Sequence, residues 1–381
     1  MRGDDAPGVQ VEGIELRMLS LHLRAPHHSA VGDDTVRPVV LVRLISDDGE
    51  GWGECAALRS PTYAPEHAAG AWAVLRTELV PRLLDAPGRG LLGPADVASA
   101  LGGVAGHHMA KAALEMAVLD AGLRRHGRSF ASYLGVDATA VPGGAVVGLA
   151  PSPHVLVERV EELVEQGYGR VKVKIAPGTD REPLAALCAR FPHLALQADA
   201  NRSYGALGVD GAAAALAPLD ELGLVCLDQP LDADDLVGHA ALAQRLRTPV
   251  CLDESLTSMG RLEAAIALGA CSVACCKSGP LGGLLEARRA QERCRAAGLR
   301  AWVGGMLETG LGRAANAALA GLPGFTLVGD VGGGRRFVED DPFGMVALVD
   351  GMVPVHRGAG VAPPPDLSAL DAVTTRFERL P

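Results

Sequence analysis

Through the middle of the chain, short apolar runs alternate with Ala/Leu-rich stretches, and each run closes on a charge. Gly169-Arg-Val-Lys-Val-Lys-Ile is followed by Leu194-Ala-Leu-Gln-Ala-Asp, Leu224-Val-Cys-Leu-Asp, Pro249-Val-Cys-Leu-Asp-Glu and Ser272-Val-Ala-Cys-Cys-Lys. A bounded apolar run predicts a buried strand, and the stretch between two runs has helical length and spacing. From Lys174 the closing charges step by 25, 29, 25 and 24 residues, which suits a strand–helix unit of a parallel sheet. Candidate strands begin near Ala145, Arg170, Leu194, Leu224, Pro249, Ser272, Ala301 and Phe325, with helices such as Pro153 to Gln166 and Leu284 to Ala297 between them. Eight such alternations predict an α/β fold of the (β/α)8, modified TIM, type, whose chemistry sits at the carboxyl face. An open doubly wound sheet would also alternate, but it normally carries Gly-x-Gly-x-x-Gly after its first strand. Val147-Gly-Leu-Ala-Pro is not that turn.

The flanks follow other periods. Val11 to Leu23 alternates loosely, and Val39 to Ile45 and Gly51 to Cys55 flank Asp47-Asp48-Gly49, a hairpin signal. A helix is expected from Pro65-Glu66 to about Leu84, with proline at its first position. A second spans His108 to His126, with Leu114, Val118 and Ala121 on one stripe and cations then glycine at its end. Residues 1–138 therefore read as an α+β capping domain, 139–330 as the barrel, and 331–381 as a C-terminal segment returning to the cap. The last part holds a second Asp-Gly hairpin signal at Asp350-Gly351.

Composition narrows the function classes. Of 381 residues, 48 % are hydrophobic and 21 % charged, as in a globular enzyme, and the net charge of −10 argues against a nucleic-acid grip. No apolar run is long enough for a membrane span and no signal peptide is visible after Met1, so a cytoplasmic protein is expected. Among eight cysteines, Cys226, Cys251, Cys275 and Cys276 fall inside predicted buried strands, where a thiol acts as a small apolar group. Cys271-x3-Cys275-Cys276 lacks zinc spacing.

The chemistry lies in the closing charges. Lys172 and Lys174 are two apart in a strand and share a face, so each ammonium disfavours the other and a lowered pKa suited to a general base is expected. The alternative is a solvent-facing Lys-x-Lys on an edge strand, which a closed barrel does not have. Asp199, Asp228 and Asp253 close three consecutive strands and offer hard oxygens to Mg²⁺. Each alone could instead cap the helix after it. Lys277 arrives from the sixth strand, across the barrel from Lys174. A cation stabilises the dianion formed when a proton α to a carboxylate is removed, and amines on two faces permit racemisation or elimination.

Lys172-Val-Lys174, Asp199-Ala-Asn201, Asp228-Gln-Pro230, Asp253-Glu-Ser255 and Lys277 resemble the muconate-lactonizing branch of the enolase superfamily. Within it, Gly304-Gly-Met-Leu-Glu-Thr-Gly, Gly51-Trp-Gly-Glu-Cys55 and Lys111-Ala-Ala-Leu-Glu are similar to the o-succinylbenzoate synthase / N-acylamino acid racemase group, from about residue 10 to 360. The resemblance implies Mg²⁺ or Mn²⁺ on Asp199, Asp228 and Asp253, with Lys174 and Lys277 as acid/base pair. Lys172 would tune Lys174 and hold the substrate carboxylate, while Asn201 and Glu254 would stand beside the ligands. Leu58, Tyr63 and a mobile loop around residues 26–34 would close over the substrate, and Gly304, Gly305 and Met306 would line its pocket. A small carboxylate substrate and a homo-oligomer are implied as well.

Three departures from that pattern stand out. Asp228 replaces the usual Glu and is one methylene shorter. Ser278-Gly-Pro-Leu-Gly-Gly replaces Pro-x-x-x-Gly-Gly, and Gly329-Asp-Val-Gly-Gly-Gly replaces a Ser-Ala-Ser pattern. A muconate-type cycloisomerase, a dipeptide epimerase and a metal-impaired, non-catalytic barrel therefore stay open as alternatives. Asp330-Val-Gly332 lacks the second Asp an epimerase would be expected to carry.

Overall fold

The computed structural model describes residues 8–29, 32–85, 91–333, 338–344 and 346–381, with the side chains of 25–34 also outside the described residues. The chain opens with β1 (Val11–Ser29), β2 (Gly32–Ser46) and β3 (Gly49–Cys55), paired antiparallel, and the β2–β3 turn sits at Asp47-Asp48. Next come α1 (Ala68–Val74), a π turn at Leu75–Leu79, α2 (Val80–Leu84), α3 (Pro94–Leu101), α4 (His108–Arg125) and α5 (Phe130–Leu134). The first helix starts at Ala68, not at Pro65-Glu66, since His67 before it has extended backbone (φ −140°, ψ 161°). The Glu66 carboxylate accepts the N–H groups of Met109 and Ala110, both at 2.8 Å, at the start of α4. Helix α4 lies almost against β3, and Gly51 and Gly53 make that possible. A Cβ on Gly53 would sit 1.8 Å from Ala113 O, and one on Gly51 would sit 2.1 Å from Ala117 O.

After β4 (Ala140–Pro142), strand and helix alternate: β5 (Gly144–Val147), α6 (Pro153–Glu165), β6 (Arg170–Lys174), α7 (Arg181–Arg190), β7 (Ala195–Asp199), α8 (Gly208–Leu216), β8 (Leu227–Asp228) and α9 (Leu236–Ala243). They continue with β9 (Val250–Leu252), α10 (Met259–Leu268), β10 (Val273–Cys276), α11 (Ser278–Leu281), α12 (Leu284–Ala296), β11 (Arg300–Val303) and α13 (Gly310–Ala320). Strands β5 to β11 form one parallel sheet in sequence order, the arrangement strand–helix units give. The period of two sorts the side chains. Val171, Val173 and Ile175 pack outward in the layer with α6 and α7, while Cys226, Cys251, Val273, Cys275 and Trp302 form a separate inner cluster.

The strand expected near Phe325 does not form. Residues 326–333 carry no strand, because the segment runs too close to β11 for a regular ladder: a Cβ on Gly329 would meet Val303 O at 2.3 Å. Its backbone still bonds on both sides. Leu327 N donates to Ala301 O (3.1 Å) and Asp330 N to Val303 O (2.9 Å), while Val331 O accepts from Gly144 N (3.2 Å), so the segment spans from β11 to β5. Finally, β12 (Met352–Pro354) pairs with β4, and β13 (Thr374–Leu380) follows α14 (Leu367–Val373) and pairs with β1. No helix among the described residues is long and apolar enough to cross a membrane.

Candidate active site

Five neighbouring strands present their charges in one order: Lys174 at the end of β6, Asp199 at the end of β7, Asp228 at the end of β8, then Asp253 and Lys277 just past β9 and β10. Register aligns them, with Lys174 opposite Asp199 and Asp199 opposite Asp228. Two amines thus flank three carboxylates. Lys174 Nζ lies 2.7 Å from Asp199 Oδ2 and also donates to Asn201 Oδ1, and Lys277 Nζ lies 2.8 Å from Asp253 Oδ2. Lys172 points to the same side as Lys174. Its Nζ stands 2.9 Å from Asp199 Oδ2, 3.2 Å from Asp228 Oδ2 and 3.0 Å from Asp330 Oδ2. Asn201 joins the row to Glu254, donating from Nδ2 to Oε1 at 3.1 Å.

The lowered lysine pKa expected from Lys172 and Lys174 is not what this site does to Lys172. Burial works to lower it, but Asp199, Asp330, Asp228 and Asp253 together outweigh burial and raise it well above the ordinary value. Lys277 is likewise raised, by Asp253 against burial. The carboxylates outnumber the neighbouring ammonium, so attraction wins. Among the acids, burial pushes Asp199 up, but Lys172 and Lys174 hold it below the usual carboxylate range. Asp228 is pushed up to about 7 by burial, with Asp199 and Asp253 adding repulsion, and Glu254 goes to about 8 for similar reasons.

Those two raised acids also carry the unpaired oxygens. Asp228 Oδ1 and Glu254 Oε2 are buried with no hydrogen-bond partner among the described residues. As the side chains stand, no three described acid, Cys or His groups converge on one point, because Lys172 bridges Asp199 and Asp228. The donor set nonetheless suits a hard divalent cation: carboxylate oxygens from adjacent strands, two of them unpaired and costly to leave so. Asp199, Asp228 and Asp253, with Glu254 beside them, are the residues that could hold it.

Local backbone supports this row. Gln229, fully buried at φ 44°, accepts Asp253 N (2.9 Å) and Ser255 N (3.2 Å) on Oε1, while its Nε2 donates to Ser255 Oγ (2.8 Å). Asn201 (φ 39°), Arg202 (φ 68°) and Leu307 (φ 57°) also hold left-handed backbone, the kind of strain that gathers at functional sites. Gly304 leaves room for Lys277, since a Cβ there would lie 2.4 Å from Cys275 Sγ and 2.7 Å from Lys277 Cε. Gly305 faces Asp330, whose carbonyl would stand 3.3 Å from its added Cβ.

From the cap, Tyr63 reaches the row directly. Its hydroxyl donates to Asp253 Oδ1 at 2.9 Å, and its ring lies 4.4 Å from Lys277 Nζ. Leu58, Tyr63 and Met306 pack in one apolar cluster with the cap. Residues 26–34, expected as a mobile loop, include the paired backbone of β1 and β2 (His27 opposite Asp34). Their side chains lie outside the described residues. Two participants are poorly marked in the sequence. Asp330 stands out in the sequence only for lacking the second Asp of an epimerase pattern, and nothing there flags its partner Arg170. Arg37, which donates to several backbone carbonyls described below, leaves no pattern.

Residues 13–135 match the N-terminal domain of the mandelate racemase / muconate lactonizing enzyme family, and residues 155–367 match the enolase C-terminal domain-like family. The chain belongs to this family of enolase-like proteins. An N-succinylamino acid racemase of Amycolatopsis sp is 46 % identical over 370 residues, covering 96 % of this chain and 98 % of that one. An o-succinylbenzoate synthase of Bacillus subtilis (strain 168) is 39 % identical over 334 residues, covering 87 % and 88 %. The crystal structure of an enolase superfamily member from Listeria innocua Clip11262 superposes with a TM-score of 0.92 at 32 % identity, covering 98 % of this chain and 99 % of that chain.

Proposed function

We propose that this chain, with a divalent cation (Mg²⁺ or Mn²⁺), removes the proton α to the carboxylate of a small substrate. The reaction would be that of an o-succinylbenzoate synthase, an N-acylamino acid racemase, or both in one site. The observation that carries this is the order Lys174, Asp199, Asp228, Asp253, Lys277 on five adjacent strands. An α-proton is very weakly acidic because its loss leaves an enediolate dianion. When bound, the cation supplies positive charge against that dianion. The unpaired oxygens favour the same reading: Asp228 Oδ1 and Glu254 Oε2 are buried with no hydrogen-bond partner among the described residues, and a bound cation would satisfy them.

In this reading Asp199, Asp228 and Asp253 hold the cation, with Glu254 and Asn201 beside them. Lys174 and Lys277 take and return protons from the two ends of the row. Lys172 orients the carboxylate, and Gly304, Gly305, Met306, Leu58 and Tyr63 shape the space over the substrate. One amine acting while the other steadies charge gives elimination, and both acting in turn give racemisation. An epimerase that grips a substrate ammonium through Asp330 is disfavoured, because both oxygens of Asp330 are taken by Arg170 and Lys172. The test is proton exchange at the α-carbon of N-succinyl amino acids in D₂O, beside dehydration of the cyclohexadiene hydroxy acid that precedes o-succinylbenzoate. At least one activity is expected with Mg²⁺, and it should vanish with chelator. Neither activity in Mg²⁺ would refute the proposal.

A further inference from the structure

Beneath the row of acids lies a second layer that the reaction as described does not use. Arg170, two residues before Lys172 on β6, is 1 % exposed, and its guanidinium donates to Asp330 Oδ1 and to Gln197 Oε1. Arg170 Cζ stands 4.8 Å from the centroid of the Trp302 ring, and Lys172 Nζ stands 4.7 Å from the same centroid. Asp330 therefore links two cations that share one aromatic ring. Its place is fixed by backbone: Asp330 N is bonded to Val303 O, and Gly329 fits against β11 only because it has no Cβ. Gly144 likewise leaves space, since an added Cβ would stand 3.1 Å from Arg170 Nη1.

This layer is poorly built for stability alone. Arg170 Nε and Gln197 Nε2 are buried without partners among the described residues, and a buried ion pair gains little over apolar packing. What it does is hold Lys172. A lysine ammonium has three N–H groups, and Lys172 meets three carboxylates: Asp199, Asp228 and Asp330. Two of these are the candidate cation ligands, and oxygens turned to a cation no longer steer the amine. Asp330 is the contact that does not depend on that occupancy.

We propose that Asp330, backed by Arg170 and Trp302, is a positioning residue that keeps Lys172 aimed at the substrate carboxylate once Asp199 and Asp228 hold a cation. This rests on the proposed reaction. In Asp330→Asn, an amide replaces one acceptor and, turned toward Lys172, opposes it donor to donor. Losing the aim of one charge-stabilising group weakens catalysis by roughly 10²-fold.

The test uses Asp330→Asn and the paired variant Arg170→Gln/Asp330→Asn, which removes the buried charges together and so keeps the fold if the single change does not. Four quantities are read: kcat, KM, Mn²⁺ affinity by titration, and the Lys172 position in crystals of the paired variant with Mn²⁺. The expected result is a kcat about 10²-fold lower in both variants, with KM and Mn²⁺ affinity each within about 3-fold of wild type. Lys172 Nζ should be displaced by about 1 Å or more. Wild-type kcat in the paired variant would overturn the proposal, because Asp330 would then serve only as a counter-ion for Arg170. Mn²⁺ affinity falling in step with kcat would also overturn it, by assigning Asp330 to the cation. If the wild type itself turns over neither substrate, the proposed reaction fails, and an unmoved Lys172 in the crystal would still refute the positioning role.

Discussion

At Gly304 the absence of one carbon sets where a lysine lies. A Cβ there would press on Cys275 Sγ and on both Cγ and Cε of Lys277, all within 2.7 Å. Cys275 is part of the packed inner cluster and has little room to give, so Lys277 must move. Gly304→Ala is therefore expected to lower kcat about 10²-fold while the melting temperature falls by only a few degrees. Steady-state kinetics beside calorimetry checks this, and an unchanged kcat would show that Lys277 tolerates the shift. Lys174→Ala and Lys277→Ala should each abolish α-proton exchange and leave a folded chain by circular dichroism. An unfolded product would instead mark the lysine as structural. The acids and lysines of the row were legible because each closes an apolar run at a near-constant step. How Lys172 titrates was not, because Asp330 and the other acids that outweigh its lysine neighbour reach it only in three dimensions.

Elements meet through carboxylates that no local pattern announces. Glu115 of α4 accepts Leu284 N (2.8 Å) and Leu285 N (2.9 Å) and so caps α12, some 170 residues along the chain. Glu54 of β3 accepts Thr309 Oγ1 (2.6 Å), Thr309 N and Gly312 N, capping α13 in the same way. Burial pushes both carboxyls up to about 7, against the hydrogen bonds that favour their ionised form. A carboxyl harder to ionise folded than unfolded contributes most below its unfolded value near 4.5. That contribution is lost as pH rises through about 7. For such a shift the loss is on the order of 3 kcal/mol per group. Glu115→Gln cannot titrate, so its stability should fall less than wild type between pH 5 and pH 8, though its absolute stability drops with the lost acceptor. Parallel melting-temperature curves would refute this. The strand–helix alternation itself was readable from β5 to β11. The eighth strand, expected near Phe325, does not form, because the same apolar run contains Gly329, whose close approach to Val303 replaces a ladder with isolated bonds.

For the whole molecule, the question is what holds the cap over the row of charges. β13 joins the last residues to β1, and Tyr63 and Arg202 tie the loop after β3 to the parallel sheet's carboxyl end, Arg202 donating to Thr62 O. A further joint is Arg37 of β2, 1 % exposed. It donates to Ala57 O (2.7 Å), Pro38 O (2.9 Å) and Ala56 O on the cap side, and to Met306 O (3.0 Å) and Leu307 O (3.3 Å) beyond β11. The planar fork of a guanidinium can serve that many carbonyls at once, and an ammonium cannot. Leu307 stays in left-handed backbone with Arg37 on its carbonyl, while Glu308 Oε1 accepts Met306 N at 2.8 Å. Sequence alone gave no sign of this, since backbone carbonyls are present at every residue. Arg37→Lys should leave several buried carbonyls unpaired and cost about 3 kcal/mol. More tellingly, the loops bearing Leu58, Tyr63 and Met306 should lose their mutual register, raising KM about 10-fold with a smaller change in kcat. A melting temperature that drops while KM stays at the wild-type value would mean that Arg37 stabilises the fold without shaping the pocket, and that the cap is held in place by Tyr63 and Arg202 instead.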